Sequence, residues 1–389
     1  MYKREISSVI QRLAGLYPII GITGPRQSGK TTIAKFLFPT LPYVSLENLD
    51  VRLQAEQDPR AFLNLYQDGA IFDEVQNVPT LLSYLQGVVD EDPKKGRYVI
   101  TGSQNFALSS SIAQSLPGRI GMMTLLPLSL FEIQSEMETS ASIFKGGYPG
   151  LHQSQMQPMD FYPSYIQTYI ERDVRQLKGI ENLGRFQIFL KLCAGRIGQL
   201  INFSSLAQDA GISHTTAREW LTVLEASYIL FTLQPYYQNF NKRLMKMPKM
   251  YFYDTGLACA LLGLEKEAQI ETHYLKGSLF ENLVVLEILK GRMNNRLSPN
   301  LYFWRDRTGH EVDLIGEWGG HIHAMEIKYG ATFQESYGKN LKYFMQLSGE
   351  KGKEKSTFAY LIYTGSQEGS YRDISLTPIN KIHEKILNS

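Results

Sequence analysis

The chain has 389 residues, 43% of them hydrophobic and 20% charged, with a formal net charge of +2. That length exceeds one compact core and predicts two or three folded units, while the near-neutral balance excludes a polyanion-coating protein but leaves room for a local basic face. Its two cysteines, Cys193 and Cys259, have apolar helical surroundings without metal-ligand spacing, no run of 18 apolar residues occurs, and the N-terminus lacks the apolar core of a secretion signal, so a soluble, cytoplasmic protein without membrane association is expected.

In chain order, Ile6, Val9, Ile10, Leu13 and Leu16 recur at helical spacing and predict an amphipathic helix that serves as a packing element. The strand Pro18–Thr23 then breaks into Gly24-Pro25-Arg26-Gln27-Ser28-Gly29-Lys30-Thr31-Thr32, which fits G-x-x-x-x-G-K-[ST], the P-loop. Its amides are expected to cradle the phosphates of ATP, Lys30 to reach the β/γ-phosphates and the Thr31 hydroxyl to ligate Mg²⁺. The glycines admit a close phosphate approach, and a helix from Thr31 to Phe38 points its positive end at the anion. A short strand at Pro42–Glu47 and a helical stretch from Leu49 to Tyr66, broken at Asp58-Pro59, continue a β-α-β-α order.

Gly69-Ala-Ile-Phe-Asp73-Glu74-Val-Gln76 is an apolar strand ending in adjacent acids, the form of a Walker B segment. Asp73 would hold Mg²⁺, directly or through water, and Glu74 would polarise the attacking water; a solvated strand end is the other reading. The strand Arg97–Ser103 ends in small polar residues. In ATPases with an extra strand between the P-loop and Walker B strands, a residue there senses the γ-phosphate. Ser103 is the first candidate and Gln104 the second, because register is not fixed to one residue by sequence. Leu116-Pro-Gly-Arg119 leads into a strand over Met122–Leu128. Arg119 is either an arginine finger, in cis or from a neighbour in a homo-oligomer, or a surface salt-bridge residue.

These segments resemble the prokaryotic AAA-type ATPases that carry a C-terminal domain of unknown function. The resemblance rests on Gly-Pro-Arg-Gln-Ser-Gly-Lys-Thr-Thr, Ile-Phe-Asp-Glu-Val-Gln followed by Pro79, Thr-Gly-Ser, Leu-Pro-Gly-Arg, Gly146-Gly147-Tyr148-Pro149 and Tyr169-Ile-Glu-Arg-Asp173-Val, in the family's order. It implies a nucleoside triphosphatase using ATP and Mg²⁺, of unassigned biological role. No chemistry is derivable for Gly146–Pro149 or Tyr169–Val174; Tyr169, Glu171, Arg172 and Asp173 are expected in a structural network at a domain junction.

From about Arg185 three helical stretches follow, Phe186–Arg196, Phe203–Ala210 and Ser213–Tyr228, the last two joined by Gly211-Ile212-Ser213 in helix-turn-helix form. Strands at Tyr228–Pro235 and Met250–Tyr253 flank a loop holding Lys242, Arg243, Lys246 and Lys249, which completes a winged-helix layout. If it binds DNA, His214, Thr215, Thr216 and Arg218 face the groove and the wing cations contact phosphate; winged helices also serve as protein-interaction modules and as lids.

The remaining order, a helix at Tyr274–Lys290, strands at Leu301–Arg305, His310–Trp318 and His321–Tyr329, a helix near Gln334–Leu347 and a strand at Thr357–Tyr363, matches a restriction-endonuclease-like core. Asp313 with Glu326-Ile-Lys328 forms a D-x(n)-E-x-K pattern, in which alternation places Glu326 and Lys328 on one face. Asp313, Glu326 and helix-borne Glu281 would hold Mg²⁺ through hard oxygens and Lys328 would orient the nucleophilic water. The alternative is a solvated charged hairpin. His310, His321 and His323 lack the companions of a zinc site.

The fold expected is therefore α/β: an AAA-type P-loop core over 1–135, a helical linker or lid over 136–184, a winged helix over 185–255 and a restriction-endonuclease-like domain over 256–389. The function expected is ATP hydrolysis associated with DNA. A nucleotide-regulated binding switch whose nuclease-like domain does not cleave is the alternative, and a small-molecule kinase is disfavoured by the Asp73-Glu74 pair.

Overall fold

Apolar runs that are buried on both faces need helices above and below them, and the N-terminal half of the chain meets that requirement. The computed structural model describes residues 2–103, 115–134, 137–170, 182–236, 247–349 and 356–387. Gln104, Glu171, Arg172, Asp173, Lys242, Arg243 and Lys246 lie outside the described residues.

Strands β1 (Ile19–Thr23), β2 (Tyr43–Ser45), β3 (Ala70–Asp73), β4 (Tyr98–Gly102) and β5 (Ile120–Thr124) form a parallel sheet in the order β2-β3-β4-β1-β5. Strand β4 lies between β1 and β3, as expected. Ile20, Ile22, Ile71 and Val99 point to the face covered by helices α1 (Ser7–Ala14) and α2 (Lys30–Leu37). Ile19, Phe72, Tyr98 and Ile100 point to the other, packed against α4 (Pro59–Asn64) and α5 (Leu81–Glu91), while α3 (Leu49–Gln57) ends before the expected break at Asp58-Pro59. Strand β5 starts at Ile120, two residues earlier than expected, and ends at Thr124.

The chain leaves this sheet through α6 (Leu130–Ile133), α7 (Thr139–Lys145), α8 (Pro149–Gln153) and α9 (Pro158–Tyr165), which runs on as a wider turn to Ile170. The Gly146-Gly147 pair explains itself here. Gly146 has φ 68°, and a Cβ on Gly147 would stand 2.4 Å from the Leu128 carbonyl oxygen. The Gly147 amide donates to Asp254 Oδ2 at 2.7 Å, and Asp254 Oδ1 accepts from the Tyr162 hydroxyl at 2.6 Å and from the Leu257 amide at 2.9 Å. One buried carboxylate thus ties three segments together, and the glycines let the backbone reach it.

Helices α10 (Leu183–Ala194), α11 (Phe203–Ala210) and α12 (His214–Ala226) precede the antiparallel pair β6 (Leu230–Pro235) and β7 (Lys249–Phe252). Gly211 ends α11 at φ 65°, and Ser213 caps α12 by accepting the Thr216 amide at 3.0 Å. Phe186 and Phe189 pack edge-on against Trp220.

Beyond them come α13 (Thr255–Leu261), α14 (Gln269–Thr272), α15 (Lys276–Asn294), β8 (Leu301–Arg305), β9 (Glu311–Trp318), β10 (His321–Lys328), α16 (Lys339–Gly349), β11 (Thr357–Tyr363), β12 (Gly369–Tyr371) and β13 (Ile374–Pro378). Strands β8, β9 and β10 are antiparallel, and β10 pairs parallel with β11. The β6–β7 hairpin is not a separate wing sheet: Gln234 and Pro235 of β6 pair with Tyr302 and Phe303 of β8, giving one eight-stranded sheet, β12-β13-β11-β10-β9-β8-β6-β7. Among the described residues no helix is long and apolar enough to cross a membrane.

Gly147→Ala should lower the melting temperature of the full chain, at a cost of about 2 kcal/mol or more, because the carbonyl facing it is backbone and has no rotamer to change. Gly87→Ala, in an exposed turn of α5 where an added Cβ meets nothing within 4 Å, should raise it through a stabilisation of about 0.5–1 kcal/mol.

Candidate functional site

Parallel strands bring their C-terminal ends to one edge, and the loops there gather polar groups over the sheet. At that edge β1 gives way to the 24–32 loop. Gly24 has φ 139°, and an added Cβ would lie 2.2 Å from the Leu125 carbonyl oxygen; Gly29, at φ 96°, starts α2. Buried Lys30 donates from Nζ to the carbonyls of Gly24 at 3.0 Å and Pro25 at 2.8 Å. Arg4 supports the loop from beneath: Nη1 donates to the Ser28 carbonyl at 2.9 Å, Nη2 to the Leu126 carbonyl at 2.7 Å, and Nε to Glu132 at 3.0 Å. Nothing in the local sequence marks Arg4, which looks like any cation ahead of a helix.

Thr31 Oγ1 donates to Asp73 Oδ2 at 2.9 Å, and Thr101 donates to Asp73 Oδ1. Tyr43, missed by sequence reasoning, donates to Asp73 Oδ2 at 2.7 Å, and burial together with this carboxylate pushes its phenol up to about 12. Its position was readable only through the pairing of β2 with β3, which sets Ser45 beside Asp73. The hydroxyl of Thr31 and the carboxylate of Asp73 are hard oxygens on adjacent elements and fit Mg²⁺. Glu74 sits at φ 57°, and its Oε2 accepts from Ser103 Oγ at 3.0 Å and from the Gln76 amide. Lys30, Thr31, Asp73, Glu74 and Ser103 therefore occupy one edge of the sheet, as their motifs require.

Arg119 does not join them. Its neighbour Ile120 pairs with Ile19, at the start of β1, whereas the loop follows the end of that strand, five residues on and roughly 16 Å away. The guanidinium grips Asp90 at 2.5 Å and 2.8 Å and the Pro117 carbonyl at 3.0 Å. Strand register puts Arg119 at the end of the sheet away from the loop, in a surface ion pair with Asp90 that fits the salt-bridge alternative. Tyr169, in contrast, reaches the loop crest, accepting from Gln27 Nε2 at 3.1 Å with the Arg26 guanidinium 5.3 Å from its ring.

On α12, His214, Thr215 and Arg218 are exposed at the N-terminal end, and Thr216 is half-buried against Ser213. Lys249 departs from expectation. Instead of lying in an exposed wing it opens β7, is 3% exposed, and places Nζ 2.9 Å from Glu281 Oε1 and 2.5 Å from Glu311 Oε1. Burial opposes its charge, yet Glu281, Tyr251, Asp313 and Glu311 together raise its pKa well above the ordinary lysine value.

Lys328 makes the second half of this cluster, with Nζ 2.7 Å from Glu326 Oε1 and 3.3 Å from Asp313 Oδ2. Asp313 Oδ2 also accepts the Ile327 amide at 2.8 Å, and Tyr251 donates to Glu281 Oε1 at 2.5 Å. Asp313, Glu326, Lys328 and Glu281 are thus neighbours, and their carboxylates are engaged by lysines. Among the described residues no three His, Cys, Asp or Glu side chains are gathered to hold a metal. The acids are instead divided between two ammonium groups.

Residues 16–134 match the family model of an AAA domain, residues 138–268 a domain of unknown function (DUF8612) and residues 276–382 a second one (DUF4143). An uncharacterized protein of Mycobacterium tuberculosis and one of Mycobacterium bovis are each 29% identical over 334 residues, covering 85% of this chain and 74% of their own. Among solved structures, a Walker-type ATPase of Pyrococcus abyssi is 14% identical and covers 67% of this chain and 96% of its own, with a TM-score of 0.44. AMPPCP-bound DnaA from Aquifex aeolicus is 13% identical and covers 57% and 85%, with a TM-score of 0.30. The family model and the strand order agree: residues 16–134, a parallel sheet with a P-loop, are similar to an AAA domain.

Burial and the nearby Asp313 charge push the Glu326 carboxyl from 4.5 up to about 8. Between these values the folded chain holds a proton that the unfolded chain has lost, so this group's contribution makes stability fall as pH rises from about 5 to 8. Melting curves of Glu326→Gln and the unmodified protein should therefore diverge in favour of the glutamine form across that range. A constant difference would mean that Lys328 keeps Glu326 ionised.

Proposed function

We propose that the chain is an ATPase that works as a nucleotide-regulated switch on DNA. The observation that carries this reading is the single constellation at the edge of the parallel sheet: Lys30 within its own loop, Thr31 on Asp73 at 2.9 Å, and Glu74 on Ser103 at 3.0 Å. Lys30 exchanges its loop carbonyls for β/γ-phosphate oxygens while the amides of residues 24–32 bind the remaining phosphate charge. Thr31 and Asp73 hold Mg²⁺, which when bound neutralises charge on the phosphates. Glu74 orients and deprotonates the attacking water, and Ser103 fixes the direction of its carboxylate. Arg119 is assigned a role only in trans, as an arginine finger in a homo-oligomer.

For the downstream part we take the helix-turn-helix α11–α12 as the DNA-contacting element of a winged-helix unit over 185–255, with His214, Thr215, Thr216 and Arg218 toward the groove. Residues 256–389 form a nuclease-like domain in this reading, behind the lid at 136–184. We favour a non-cleaving role for it, because Lys249 and Lys328 occupy the carboxylates that a divalent ion would need. The second reading is a metal-dependent nuclease, supported by the antiparallel β8–β9–β10 set, the parallel β11 and the Asp313, Glu326 and Lys328 side chains that they bring together.

Lys30→Ala should abolish ATP binding, measured by fluorescent-nucleotide titration, whereas Glu74→Gln should bind within about threefold of the unmodified protein and turn over about 100-fold more slowly or worse. DNA binding should weaken steeply with salt, the log–log slope counting the phosphate contacts. Incubation of supercoiled plasmid with the protein and Mg²⁺ or Mn²⁺ should yield no nicks; nicking that disappears in Asp313→Ala and Lys328→Ala would establish the nuclease reading instead.

A further inference from the structure

The residue just before the phosphate loop is Thr23, and its side chain makes a contact that the catalytic constellation does not use. Thr23 Oγ1 lies 3.3 Å from the Met123 carbonyl, 3.3 Å from Thr124 Oγ1 and 3.2 Å from the hydroxyl of Tyr228, 205 residues further along the chain. Tyr228 belongs to the helix-turn-helix unit. Helix α12 ends at Ala226, Ser227 closes it, and Tyr228 takes φ 55°, a left-handed conformation uncommon for a bulky side chain, before the chain turns into β6 at Leu230. The residue is 5% exposed, and its ring packs edge-on against Tyr253 with centroids 5.8 Å apart. Its backbone thus terminates the candidate recognition helix while its hydroxyl touches the end of the P-loop strand.

We infer that Tyr228 is the positioning residue through which occupancy of the phosphate loop sets the placement of α12. The inference rests on the nucleotide-binding reading of the loop and deepens it by naming the route of regulation. A ligand shifts a conformational equilibrium only through interactions that differ between the two states, and this loop has such a difference built in. Lys30 Nζ donates to the carbonyls of Gly24 and Pro25, the two residues that follow Thr23. A triphosphate draws that ammonium onto its own oxygens, so the hydrogen bonding of the 24–25 backbone changes when the site fills. Thr23 is attached directly to that backbone and hands the change to Tyr228 through the hydroxyl pair. Helix α12 has 13 residues and is roughly 20 Å long. A small rotation at its Tyr228 end therefore displaces His214, Thr215 and Arg218 at the other end by a larger distance.

The test is hydrogen–deuterium exchange on the full chain, with and without a slowly hydrolysed ATP analogue and Mg²⁺, alongside a fluorescence titration of nucleotide binding. The unmodified protein should show a nucleotide-dependent change in exchange across residues 214–226. Tyr228→Phe keeps the ring and loses the hydroxyl, and Thr23→Val removes the partner from the other side while nearly preserving its shape. Each should bind nucleotide within about threefold of the unmodified protein, yet lose the change at 214–226. A purely structural role for Tyr228 would instead alter exchange there equally with and without nucleotide. The inference is overturned if nucleotide binds the unmodified protein and leaves 214–226 unchanged, or if the change survives in either variant. If the titration detects no nucleotide binding to the unmodified protein, the ATPase reading itself falls, and this inference with it.

Discussion

Two buried cations hold the phosphate loop, and the rest of the molecule is arranged so that they can. Lys30 binds the Gly24 and Pro25 carbonyls from within the loop, and Arg4 binds the Ser28 carbonyl from below. A buried guanidinium needs a counter-charge, and Glu132 provides it from the corner where the chain leaves the sheet. The same carboxylate accepts the Glu5 and Ser129 amides, so one ion pair fixes the N-terminal segment, the loop and the exit corner together. The first helix is thus more than a packing element: it is the abutment for the segment that carries Arg4.

A comparable economy governs the downstream half. The hairpin β6–β7 could have been a small independent wing, but its pairing with β8 makes it part of a wide sheet. That pairing carries Lys249 into the interior beside Glu281 and Glu311. Desolvating an ammonium is costly, so it needs close carboxylates, and Glu281 and Glu311 supply them. The helix, three antiparallel strands, helix and parallel strand, and the salt-linked interior, are thus arranged around one sheet.

Between the halves, alongside apolar packing, buried polar contacts are made by single side chains over long sequence separations. Asp254 joins the Gly147 amide to Tyr162, Lys290 reaches the Leu128 carbonyl at 2.8 Å, and Tyr228 meets Thr23. Each buried polar group here has a partner on another segment, and losing one would leave the other desolvated and unsatisfied. Such contacts restrict how the halves can sit, and they also supply the physical links by which a change at the loop can be felt elsewhere.

Much was legible from local pattern. The P-loop, Asp73-Glu74, Ser103 and the capped helix-turn-helix follow from periodicity, glycine placement and short-range hydrogen bonding, all of which act within a few residues, whereas the position of β4 in the sheet was expected only from the resemblance to ATPases with an extra strand. What escaped was set by register and packing. Arg119 stands at the far edge because β5 pairs with β1 from Ile120 onward, and no run of residues announces that pairing. Lys249 is buried because β6 finds β8, and Tyr43, Arg4 and Tyr228 matter only because distant backbones come within hydrogen-bond reach. Sequence by itself determined the phosphate loop, the acids that serve it and the order of the elements, since each is encoded by neighbours along the chain. Tertiary structure alone decided which charges meet, because ion pairs such as Lys249–Glu281 and Arg4–Glu132, 32 and 128 positions apart, depend on where whole strands and helices come to rest.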